Sequence, residues 1–287
     1  AEVVSYFRWR QAPFGQEQHH AGLLRPDSAD APALHAARTV ANELEAFGQI
    51  ETAQAPVAIL FDYDASWIYD IQPQGEDFSY FSLVLDTYRA LRRAGLSMDI
   101  VPVDGDLAGY KLILAPGLAM MSNALKERLA AHAGTVIVGP RAAAKTEHGA
   151  IPIPLPPALP GLDTVVSLTE SVQPGSSRPL EGGGAFIKWA EALEGNAKAV
   201  MTRADGVPAL VRAGGLHYLG GWPDTEAFDR VIRHACAEAG LEFQPLPEGF
   251  RLRDTKTHRF GFNYAPEPVT WNGETLQPGD VRWWPLN

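Results

Sequence analysis

From residue 57 onward the apolar positions follow two alternating periods. Short β-branched runs, "VAILFDY" (57 to 63), "SMDIVPVD" (97 to 104), "YKLILAPG" (110 to 117) and "TVIVGP" (135 to 140), predict strands. Between them, "FSYFSLVLDTYRALRRAG" (78 to 95) and "NALKERLAAHAG" (123 to 134) carry apolar residues at helical spacing and predict helices. Gly95 and Gly134 stand where a left-handed C-cap is expected. Apolar strands alternating with helices argue for a parallel sheet covered on both faces.

The prolines between 151 and 180, among them "IPIPLPPALP", break any helix and mark a long excursion. The pattern resumes with "GAFIKWAEAL", then with a hairpin-like pair in 196 to 222 that turns near Asp205-Gly206, and closes with the helix "DTEAFDRVIRHACAEAG". Residues 57 to 240 read as one unit, and a flavodoxin-like three-layer domain related to the class I amidotransferases suits it. The tail "HRFGFNYAPEPVTWNGETLQPGDVRWWPLN" has alternating aromatics and an Asn272-Gly273 turn. It predicts a small antiparallel β domain over 241 to 287, too small to stand without packing on something else.

The first fifty residues are organised differently. Residues 2 to 9, "EVVSYFRW", read as a strand, and a long loop leads to the helix "ALHAARTVANELEAFGQ". A single apolar strand needs neighbours on both sides, so residues 1 to 52 look like the end of a larger structure.

Composition narrows the function classes. With 287 residues and 46% apolar content the chain can bury real cores. No apolar run approaches the roughly 20 residues of a membrane helix, and no signal peptide is visible. Compartment stays open on these residues, with the cytoplasm as the working assignment. A net charge of -10 without a basic block argues against nucleic acid. The one cysteine, Cys236, lies in a helical pattern and reads as a buried thiol, which excludes disulfides and cysteine metal sites.

The central domain looks chemically silent. After "TVIVGP" there is no Gly-x-Cys-x-Gly elbow, and after "VAILFDY" the acidic, aromatic "DASWIYDIQPQGED" would repel phosphate. "EGGGA" at 181 to 185 lacks the Lys and Ser/Thr of a phosphate loop and reads as a turn; His217 reads as a core histidine.

Candidate chemistry therefore falls on "SYFRWRQAPFGQEQHHAGLLRPD" at 5 to 27. Glu17, His19 and His20 do not have the His-Glu-x-x-His spacing of a zinc helix, and no metal or other cofactor is predicted. The plain alternative is a solvated loop. An aromatic-basic strand end followed by a carboxylate and an imidazole is, however, what the C-terminal face of a β/α barrel presents to a ligand. Sugar hydroxyls suit such a pair, since a carboxylate accepts hydrogen bonds and a neutral imidazole both donates and accepts.

The stretch "VSYFRWRQAPFGQEQHHAGLL" resembles the last strand and following loop of the catalytic barrel in glycoside hydrolase family 42 β-galactosidases. "VAILFDYDASW", "LILAPGLAMMSNALKERLAAHAG" and "GVPALVRAGGLHYLGGWPD" follow in the order of that family's trimerisation domain, and the resemblance covers nearly the whole chain. It implies a flavodoxin-like trimerisation domain between the end of a TIM barrel and a small β domain, in a homotrimer that cleaves terminal β-D-galactosides with retention. It also implies that Glu17 and His20 hydrogen-bond the galactosyl group, with no role for His19. For Trp9 and Arg10 a packing role competes with one in the pocket. The family's two catalytic glutamates match no position here, so the chain is expected to carry binding residues and the oligomerisation domain without the bond-breaking acids. A non-catalytic self-association module with a flavodoxin-like fold is the alternative.

Overall fold

The computed structural model describes residues 4–48 and 50–286. The chain forms two compact units, Ala1–Thr52 and Ala53–Asn287.

In the first unit, Leu23 and Leu24 donate backbone N–H groups to Arg8 and Trp9 at 3.0 and 2.8 Å, and Gln11 returns one to Leu24 at 2.9 Å. These bonds make a single parallel bridge, Arg10 with Leu24, rather than a sheet. The strand expected over residues 2 to 9 is corrected here: its first two residues lie outside the described set, and Val4–Trp9 contains no strand. The sequence supplies β propensity but no adjacent strand to complete a ladder, and propensity alone does not hold one. Helix α1, Pro32–Phe47, forms as expected, with proline in its first turn where the missing N–H costs nothing. Only Leu34 of its side chains is buried.

In the second unit, strand β1 (Val57–Phe61) is followed by helices α2 (Tyr63–Ile71) and α3 (Tyr80–Arg93) and strands β2 (Met98–Pro102) and β3 (Leu112–Ala115). Helix α4 (Asn123–Ala130) leads to β4 (Thr135–Val138), β5 (Val165–Ser171), β6 (Arg178–Pro179), β7 (Ala185–Glu194), β8 (Lys198–Thr202), β9 (Pro208–Ala213), β10 (Leu216–Leu219) and β11 (Gly221–Pro223). Helix α5 (Thr225–Ala239) precedes β12 (Phe250–Asp254), β13 (His258–Asn263), β14 (Val269–Trp271), β15 (Glu274–Leu276) and β16 (Val281–Pro285).

The main sheet has the order β2-β1-β3-β4-β10-β9-β8. Its first five strands pair in parallel and the hairpin β8-β9-β10 closes one edge antiparallel. All but one residue of β1, and all of β3 and β4, are buried, as a sheet covered on both faces demands. Ser79, Ser122 and Asp224 cap α3, α4 and α5 through their side chains, satisfying N–H groups the helices cannot pair internally.

Three local expectations differ. β1 stops at Phe61, and Asp62 caps α2 where an acidic loop is expected from sequence, its carboxylate accepting the Asp64 N–H at 3.1 Å. The proline-rich excursion contains β5 and β6, which pair with β7, while β11 pairs on β7's other side. Gly134 is not a left-handed cap, since α4 ends at Ala130; a Cβ there would lie 2.5 Å from the Lys111 carbonyl oxygen, so glycine is required by close approach.

The carboxyl-terminal strands form the sheet β12-β13-β16 and the hairpin β14-β15. The hairpin turns at Asn272 and Gly273, both at positive φ, as the Asn-Gly dipeptide predicts. Phe250, Leu252, Val269 and Leu276 make a separate small core. The support such a module needs comes from the amino-end side of the main sheet: Gln244 and Leu246 donate backbone N–H groups to Ala94 and Arg93, and Arg253 lies 3.5 Å from Asp99.

Candidate functional site

Glu17 and His20 sit in and just after the turn at Gln16–His19, the backbone N–H of His20 reaching the Glu17 carbonyl at 3.2 Å. The Glu17 carboxylate accepts the Arg8 guanidinium at 3.1 Å. Both partners are partly exposed, so solvent screens the pair and its net worth is about 0–1 kcal/mol. His20 stacks edge-on against Phe7, with centroids 5.9 Å apart, and Arg8 lies over the same ring. Gln11 and Gln18 brace the turn by bonding to Gln18 O and Gly15 O. The result is an open hollow of about 310 Å³ lined by Arg8, Arg10, Gln11, Phe14 and Glu17 among others.

His20 lies outside that lining, as does Trp9, which is exposed; Arg10 donates to Ser28 Oγ at 3.1 Å. His19 is exposed in the turn. The turn thus brings Glu17 and His20 together in the backbone but points only Glu17 into the hollow. Such a hollow can bind hydroxyl groups through a carboxylate and two arginines. Among the described residues that line it, Glu17 is the one carboxylate, whereas glycoside cleavage uses two.

The second unit has a candidate site that sequence reading misses. Glu191 on β7 is fully buried, with Trp189 Nε1 and the Arg141 backbone N–H donating to one carboxylate oxygen at 3.0 and 2.9 Å and Tyr218 to the other at 2.8 Å. Burial raises its pKa, against the pull of those donors. Arg141, itself buried and at positive φ just after β4, stacks over Trp189 and donates to Gln74 Oε1 at 2.6 Å. Gln74, Arg141, Glu191 and Tyr218 border a cleft of about 410 Å³. The signal available in sequence was the "WAEAL" alternation, which puts Trp189 and Glu191 on one face of β7. A lone acid in a strand pattern ordinarily marks a solvent-facing position, so the alternation by itself does not single out Glu191.

A larger cleft of about 660 Å³ lies over the carboxyl ends of the parallel strands, where Asp62, Asp104, Ser122, Lys126, Lys145 and Glu147 meet. It occupies the point where the order reverses around β1, a usual ligand position in such sheets. Burial raises the Asp62 carboxyl, but that oxygen caps α2, and Ser122 caps α4. The elbow after β4 carries Arg141 in place of a nucleophile. Cys236 is buried in α5 with its thiol pushed up to about 11, which makes it inert. His217 is buried on β10 between Gly215 and His234, a core position. Among the described residues no group of three or more His, Cys, Asp or Glu is placed to hold a metal ion. No helix among them is long and apolar enough to cross a membrane.

Comparison with known proteins accounts for this division. Residues 55–242 match the β-galactosidase trimerisation domain and residues 1–47 match the β-galactosidase family. A β-galactosidase of Thermus thermophilus is 48% identical over 276 residues, covering 94% of this chain and 42% of that protein. One from Halorubrum lacusprofundi is 32% identical, covering 88% of this chain and 40% of that protein. The crystal structure of a β-galactosidase from the psychrophilic Marinomonas ef1 superposes with a TM-score of 0.95 at 35% identity, over all of this chain and 47% of that one. The chain thus spans less than half the length of these relatives.

Proposed function

Because this chain belongs to the family 42 β-galactosidases, whose trimerisation domain it matches over most of its length, we propose that it is the carboxyl-terminal part of such an enzyme. Residues 1–52 come from the end of a TIM barrel, with α1 as its last helix, 57–240 form a flavodoxin-like trimerisation domain, and 241–287 a small β domain. The intact enzyme works in the cytoplasm as a homotrimer that hydrolyses terminal β-D-galactosides with retention. The observation that carries this reading is identity of 48% to a β-galactosidase maintained over 94% of the chain.

The division of labour follows from the chemistry. Retention requires an acid and a nucleophilic carboxylate about 5–5.5 Å apart, and Glu17 alone supplies neither pair nor spacing. Both glutamates belong to barrel strands before residue 1, and this chain alone is inactive. Glu17 and His20 orient the galactosyl group, and Arg8 holds the Glu17 carboxylate ready to accept sugar hydroxyls.

Hydrogen bonds to the sugar help most where they tighten in the transition state. In the intact enzyme, Glu17→Ala should lower kcat/KM by roughly 10- to 100-fold, the equivalent of about 1.5–3 kcal/mol for a charged hydrogen bond. Steady-state kinetics on a nitrophenyl β-galactoside checks this, and an unchanged kcat/KM removes Glu17 from the site.

A further inference from the structure

Arg141 carries a charge that the surrounding fold does not balance. It is only 7% exposed, yet among the described residues no carboxylate oxygen lies within 4.0 Å of its guanidinium. The guanidinium makes one hydrogen bond, to the neutral Gln74 Oε1, and its Nε has no partner. Tyr69 and Trp189 lie against it with ring centroids 5.4 and 4.9 Å away, which offsets part of the lost hydration but supplies no counter-charge. Arginine is almost never buried this far without an anionic partner.

Glu191 is not that partner. Trp189 and the Arg141 backbone N–H occupy one of its carboxylate oxygens and Tyr218 the other, so the acid is satisfied by groups other than the guanidinium. Arg141 also holds φ at +59°, a conformation strained for a residue with a side chain and one that folds retain chiefly where a ligand is gripped.

We propose that the 410 Å³ cleft bordered by Arg141 binds a small carboxylate with a compact aliphatic body, whose carboxylate is the counter-ion of the Arg141 guanidinium. Its volume lies within the roughly 300–1,000 Å³ of small-molecule sites. Lys145 brings a second cation to the lining, so the cleft favours an anion even beside Glu191. Ala142, Leu155, Pro156, Val166 and Leu168 supply aliphatic walls, which suit a hydrocarbon body. Phosphate sites are built instead on helix N-termini, and no residue bordering this cleft belongs to the first turn of a helix. Every residue of the site lies in the second unit, apart from the hollow that holds Glu17.

The test is isothermal titration calorimetry of 4-methylpentanoate into the full-length protein, with galactose present to occupy the sugar site and circular dichroism to establish that each variant is folded. The expected result is one site per chain, with 4-methylpentanamide, which has the same shape without the charge, and inorganic phosphate each about 10-fold or more weaker. Arg141→Met should lose affinity by a similar factor. Leu168→Glu puts an acid on an exposed strand position of the cleft, where folding tolerates it, and should weaken the carboxylate while sparing the amide. If the parent takes up no 4-methylpentanoate, if the amide or phosphate binds as tightly, or if Leu168→Glu or a folded Arg141→Met keeps the parent's affinity, the assignment is wrong.

Discussion

Tyr218 on β10 donates its hydroxyl to the buried carboxylate of Glu191 on β7 across 2.8 Å, tying the main sheet to the second one. Trp189 and the Arg141 backbone complete the shell, so the acid is buried but fully bonded. Tyr218→Phe removes one donor from a buried carboxylate, and should cost about 1–3 kcal/mol in urea unfolding.

The same carboxyl makes a prediction in pH. Its pKa is raised in the fold, so its favourable contribution is complete below the ordinary carboxylate range and is lost as pH rises through the folded value. The stability cost of Glu191→Gln should therefore be largest in acid and shrink toward neutral pH. A cost that grows with pH would mean that the donors outweigh burial.

His217 and His234 make the opposite prediction. Gly215 O accepts from His217 Nδ1 at 3.0 Å, so the neutral His217 ring accepts at Nε2 from His234 Nε2, 3.1 Å away. A second proton on His217 would set two donors against each other. Both pKa values are lowered, chiefly by burial, so the stability this pair contributes is full above the unfolded value near pH 6.5 and falls as pH drops below it. Thermal midpoints of the parent should decline between about pH 7 and pH 5 more steeply than those of His217→Gln.

Gly184 separates conformational strain from collision. Its φ is +71°, and a Cβ would fall 2.5 Å from the Ala227 backbone nitrogen in the first turn of α5; Gly149 has a similar φ of +74° but open space around it. Gly184→Ala should destabilise by about 2–4 kcal/mol and Gly149→Ala by about 1–2 kcal/mol. Equal losses would show that the contact relaxes freely.

Cys236 should resist thiol reagents in the native state. With its thiol near 11 and its side chain buried, labelling at pH 8 should run at least about 100-fold slower than in the unfolded chain. Rapid native labelling would reveal an opening of α5.

What the amino-acid sequence determined alone is the part governed by local rules. Strands β1, β3 and β4, helices α3 and α5, the Asp205-Gly206 and Asn272-Gly273 turns and the inert cysteine all follow from periodicity, caps and turn residues within a few positions of each other. The sugar-binding candidates were legible only through resemblance, because the turn carrying Glu17 is an exposed polar loop with no local pattern that distinguishes a ligand site from a solvated surface. Tertiary structure decided the remainder. It withheld a ladder from Val4–Trp9, gathered β5, β6 and β11 onto β7 as a second sheet, and assembled Glu191, Arg141, Trp189 and Tyr218 from three strand neighbourhoods. A buried carboxylate survives only where several remote donors converge, and no local pattern encodes that convergence.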